Sequence, residues 1–117
     1  MDIFELPQLV AARDESERSY LEFLRTSSLS MGLYVLPAGA QDKQKPHTED
    51  EVYCVVGGRA SIQVGDEHQA VGPGGIVFVA AEVEHCFHSI AEDLTVLVFF
   101  APAEYANATQ ATQAHAS

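Results

Sequence analysis

Residues 39–58 read GAQDKQKPHTEDEVYCVVGG, and the architecture depends on how this stretch divides. Its second half, Val52-Tyr53-Cys54-Val55-Val56, is β-branched and aromatic and reads as a strand running up to Gly57-Gly58. Its first half is polar, and Thr48-Glu49-Asp50 is turn chemistry. His47 and Glu51 stand on either side of that turn. Along one straight strand they would lie roughly 13 Å apart, too far to share an ion. A helix would put them on one face, but the strand character of 52–56 argues against a helix. The expected solution is a bend at 48–50 that folds Glu51 back beside His47.

Working outward, one helix is expected, from Pro7, a residue suited to a first helical turn, to about Arg18. Short strands follow over Tyr20–Thr26, Ser28–Leu36, Glu51–Val56, Arg59–Val64, Gln69–Val71, Ile76–Val79, Glu84–Ile90 and Leu94–Phe100. Turn residues separate several of them, at Pro37-Ala38-Gly39, Gly57-Gly58, Gly65-Asp66 and Gly72-Pro73-Gly74-Gly75. This spacing predicts an all-β sandwich or barrel. Residues 1–105 form one domain with its core in 28–102, and 106–117, drawn from Ala, Thr, Gln, Asn, His and Ser, reads as a flexible tail.

Composition narrows the function. The chain has 117 residues, 47% of them hydrophobic, enough for one buried core. Seventeen acids against six bases give a formal charge of −11, which argues against nucleic acid and anionic membrane surfaces as partners. No apolar run approaches the roughly 18 residues of a membrane-spanning helix. Asp2 and Glu5 stand where a secretory signal would be basic. Two cysteines make no disulfide framework, so a reduced, cytoplasmic protein is expected. Two histidines and a carboxylate, His47, Glu51 and His85, are a common ligand set for a divalent metal with open positions.

The stretch 39–58 resembles the first cupin motif, with Gly39, His47, Glu51 and Gly58 in register. Residues 74–89 resemble the second, with Gly74 and His85 in register; the likeness extends over roughly Ser28 to Pro102. The chain departs from the pattern at four places. Lys45 occupies the position of the first motif's first histidine, Ala80 and Glu82 replace a proline and a glycine of the second, and Ser89 replaces its asparagine. The resemblance implies an antiparallel double-stranded β-helix, a jelly-roll barrel, with a short N-terminal helix. It also implies one divalent metal on His47, Glu51 and His85, with Fe(II) favoured over Zn(II), Mn(II) or Ni(II).

Strand alternation places Tyr53 and Val55 inward with Glu51, and Phe87 and Ser89 inward with His85, leaving Cys54, Cys86 and His88 outside. Lys45, two residues before His47, would share its face if the segment were a strand. Lys45, Tyr53 and Phe87 are the expected substrate-side residues, Lys45 meeting an anionic group. Family activities include dioxygenase, isomerase and decarboxylase chemistry and plain binding. The expected function is a metal-dependent oxygenase or isomerase acting on a small organic molecule; the alternative is a non-enzymatic small-molecule binder or structural barrel with a degenerate metal site. A homodimer through the edge Tyr20–Thr26 is also expected.

Overall fold

The computed structural model describes residues 1–106, so the expected tail falls outside the described residues except for Ala106. One helix, α1 (Leu6–Ser16), precedes six strands: β1 (Tyr20–Arg25), β2 (Ser30–Leu36), β3 (Asp50–Val64), β4 (Glu67–Val71), β5 (Ile76–Val79) and β6 (His85–Ala101). All pairings are antiparallel, in the order β1-β2-β6-β3-β4, with β5 on β3. This is the all-β double-stranded β-helix expected of the chain. No helix among the described residues is long and apolar enough to cross a membrane.

Two long strands replace four of the short ones expected. β3 runs unbroken through Gly57-Gly58, and β6 runs through 91–93. The register between them slips at Val55/Gly57, Gly57/Arg59 and Arg59/Ser61, so the glycines make bulges and not a turn. Gly58 is required on two counts. Its φ is +87°, and a Cβ there would sit 2.2 Å from the Asp93 carbonyl oxygen. Before the bulges β3 takes β5 as its second neighbour, over Glu51–Cys54, and past Gly58 it takes β4, over Ala60–Val64, which wraps the sheet around its own core.

That core holds Tyr53, Val55, Phe87, Leu94, Val96, Val98 and Phe100, all 1% exposed or less. Inward positions along β3 alternate as expected, Glu51, Tyr53 and Val55 buried, Val52 and Cys54 partly exposed. The alternation of β6 holds for His85 and Phe87 but not for Ser89, which is exposed while Ile90 is buried. Ser89 adopts φ +51°, and this left-handed residue turns the strand over by one position, correcting the inward placement expected of it. Outside the barrel, Phe4 stacks on Phe23 with ring centroids 5.0 Å apart, and α1 lies against β1 and β2.

Candidate metal centre

Between β2 and β3 the chain crosses the barrel as a strap, residues 37–49, without strand pairing. Asp42 fastens its middle. One carboxylate oxygen accepts the Phe87 backbone N–H at 2.8 Å, and the other accepts the Tyr34 hydroxyl at 2.6 Å. The bend expected at 48–50 is present. Glu49, fully buried, accepts the Tyr105 backbone N–H at 2.8 Å and also takes the Thr48 hydroxyl, tying the bend to the turn after β6. His47 and Glu51 thereby face each other, with Nε2 of His47 3.9 Å from Oε1 of Glu51.

His85 arrives from the far side on the first residue of β6. Its Nε2 lies 3.0 Å from the same Glu51 oxygen. Donor atoms of His47, Glu51 and His85 all fall within 4.8 Å of one another, and the three residues are between 1% and 6% exposed. Both Glu51 oxygens are sealed from solvent and accept no well-formed hydrogen bond. A buried carboxylate in that condition calls for a cation.

The ring nitrogens are oriented from behind. Nδ1 of His85 meets the Val83 carbonyl at 2.9 Å. A carbonyl only accepts, so Nδ1 carries the proton and, in the neutral ring, Nε2 presents its lone pair to the centre. Nδ1 of His47 faces Glu104 Oε2 at 3.6 Å, leaving its Nε2 toward Glu51. Burial makes the charged form of His47 costly and lowers its pKa from 6.5. Burial acts on His85 in the same sense, but the Glu51 carboxylate and the Val83 carbonyl outweigh it, and its pKa is raised.

Gln44 is the residue that sequence reasoning missed. Its Oε1 lies 3.3 Å from Nε2 of His47, 3.3 Å from Nε2 of His85, and accepts the Tyr53 hydroxyl at 2.9 Å. Tyr53, fully buried, reaches the centre through this hydrogen bond and through its ring, whose centroid is 6.0 Å from that of His85, and Phe87 packs edge-on against Tyr53 at 4.8 Å. Lys45 does not share a face with His47. The strap is not a strand there, and Lys45 is exposed while His47 is buried. Lys45 instead lines a cavity of about 400 Å³ with Asp42, Gln44, Gln63, His85 and Cys86. Cys54 and Cys86 are free thiols, and His88 lies outside, its Nε2 3.1 Å from Nδ1 of His68.

A buried two-histidine, one-carboxylate cluster inside an antiparallel jelly roll defines a cupin of the kind that can hold a metal. The chain belongs to the cupin family: the family model described as "Cupin domain" matches residues 32–100. It is 53% identical over 104 residues to the uncharacterized protein SCO3923 of Streptomyces coelicolor, covering 89% of this chain and 99% of that one. Among solved structures it is similar to TT1209 of Thermus thermophilus, at 27% identity and a TM-score of 0.69 over 88% of this chain and 99% of the other. The fold is also that of the DMSP lyase DddQ of Ruegeria pomeroyi, at 20% identity and a TM-score of 0.64, covering 74% of this chain and 49% of the lyase.

Proposed function

We propose that this cupin holds one divalent metal on His47, Glu51 and His85 and uses it on a small organic molecule that enters from the cavity beside Lys45. The observation that carries the reading is the pair of buried Glu51 oxygens without hydrogen bonds, set against Nε2 of His47 and Nε2 of His85, 3.9 Å and 3.0 Å from Oε1 of Glu51. Nitrogen, nitrogen and carboxylate oxygen suit Fe(II), with Zn(II), Mn(II) and Ni(II) as the other candidates. A metal so bound would supply Lewis-acid polarisation or oxygen activation.

The chain's own residues would do the rest. Lys45 at the cavity wall supplies the charge for an anionic substrate group. Tyr53 and Phe87 back the centre and exclude water from it. Oxygenase or isomerase chemistry is the reading we favour, and DMSP lyase DddQ is an enzyme built on the same fold. β1 pairs only with β2 among the described residues, which supports a homodimer formed along that edge.

The second reading is a metal-free binder. It is favoured by the 3.0 Å approach of His85 to Glu51 and the raised pKa of His85, since a protonated His85 would itself satisfy the carboxylate. Metal analysis after anaerobic purification, followed by oxygen uptake and product analysis with a panel of small organic acids, separates the two. Stoichiometric metal and turnover that weakens in Lys45→Met support the enzyme. Ligand-induced stabilisation without metal or turnover supports the binder.

A further inference from the structure

We infer that Gln44 supplies a fourth protein donor to this centre, its side-chain oxygen standing where the family pattern would bring an imidazole from position 45. The inference rests on the metal reading above.

The first question is which amide atom faces inward. Gln44 Nε2 donates to Asp42 Oδ2 at 2.6 Å, and a carboxylate can only accept there, so the amide nitrogen must point at Asp42. A flipped amide would set its oxygen against that carboxylate. Asp42 cannot swing away, because the same oxygen holds the Phe87 N–H and its other oxygen holds the Tyr34 hydroxyl. The amide oxygen therefore faces the centre by construction.

The second question is what that oxygen is for. A carbonyl oxygen has two lone pairs. One accepts the Tyr53 hydroxyl; the other points toward Nε2 of both histidines, each 3.3 Å away. Nε2 of His85 bears a lone pair when the ring is neutral, because Nδ1 is committed to the Val83 carbonyl. Glu51 Oε1 adds a further acceptor 3.0 Å from it. With both rings neutral, acceptors converging in a buried site repel one another, and a metal ion, or failing that a proton on an imidazole, relieves the repulsion. Gln44 is part of that convergence, and its outer end is anchored by the Asp42 carboxylate, whose other hydrogen bonds run to Tyr34 and Phe87. This is the arrangement of a ligand held in place by its own supporting hydrogen bond. The resulting donor set is two imidazole nitrogens, one carboxylate oxygen and one neutral amide oxygen.

The test uses Co(II) as the probe, with affinity measured by chelator competition and coordination read from the visible absorption of the bound ion. Wild-type protein should bind one Co(II). Gln44→Leu, similar in size but without the oxygen, should weaken binding by roughly tenfold or more and change the band positions and intensity. Gln44→Asn, which keeps the amide but withdraws it from the centre, should do the same and guards against a folding defect in the leucine variant. His88→Ala, on the outer face, should leave affinity and spectrum as in wild type. Wild-type affinity and spectrum in both Gln44 variants would overturn the fourth-ligand assignment while leaving the metal reading standing. Failure of wild-type protein itself to bind would sink the metal reading and this inference with it.

Discussion

The backbone N–H of Glu82 donates to the carbonyl of His47 at 2.7 Å. This single bond joins the strap that carries one histidine to the turn, residues 80–84, that launches the other. Ala81 reinforces it, its N–H reaching Asp50 Oδ1 at 2.9 Å. Glu82 makes its bond from the left-handed region, φ +69°, at the position where the cupin pattern has glycine. The turn therefore keeps the family's backbone shape without the family's residue, at some cost in strain.

Glu82→Pro should disrupt both the fold and the centre. Proline has no N–H to give His47 and cannot adopt a positive φ. A loss of about 3 kcal/mol or more is expected in thermal or denaturant unfolding, with weakened metal binding. Glu82→Gly keeps the N–H and suits the backbone, so it should bind metal as wild type does and melt no lower than about 1 kcal/mol below it. A glycine variant that loses the metal would mean the turn is held by the Glu82 side chain.

His85 and His88 make a paired test of orientation. His85→Ala removes a buried nitrogen facing Glu51, whereas His88 lies on the outer face against His68 and Ser89. Metal content should fall to near zero in the first variant and stay near one ion per chain in the second. Equal loss in both would contradict the phase of β6.

Metal affinity should depend on pH through a single proton across the mildly acidic range. In the metal-free protein the Glu51 carboxylate and the Val83 carbonyl raise the His85 pKa, so metal must displace a proton that this ring holds more tightly than a free imidazole does. His47, with its pKa lowered by burial, loses its proton before His85 does as pH rises. Affinity should therefore rise about tenfold per pH unit between the His47 transition and the higher His85 transition, and level off above the second. Titrations at a series of pH values check this. A flat profile, or a rise of a hundredfold per unit over that window, would contradict the assignment of the proton to His85 alone.

Much of this was legible in the residues themselves. The β-branched run at 52–56 excludes a helix, Thr48-Glu49-Asp50 supplies the bend, and together they bring His47 to Glu51 as the structure has them. His85 was a candidate ligand by residue type, but its place beside Glu51 rested on the resemblance, since thirty-four positions separate the two in the chain and the closing of β6 on β3 brings them together. Gly57-Gly58 misled because a glycine pair looks the same whether it makes a turn or relieves a bulge against Asp93. Ser89 carried no sign of its positive φ. Gln44 was invisible for a different reason: it is one polar residue in a polar strap, and its role follows from Asp42 reaching Phe87, forty-five residues away. Lys45 drew the attention due to its neighbour because pattern register assumes a strand that the strap does not form.

The most direct test of the account is the melting temperature of the protein measured before and after metal removal, with metal content determined on the same samples. At a hundredfold excess over the dissociation constant, binding contributes about 2.7 kcal/mol, which for a domain of this size corresponds to roughly ten degrees. We predict one divalent ion per chain, a fall of that order on exhaustive chelation, full recovery on adding Fe(II) under anaerobic conditions, and no shift in Glu51→Gln/His85→Ala. Identical melting temperatures with and without metal, in protein shown to take up no ion, would contradict the claim that His47, Glu51 and His85 form a metal centre.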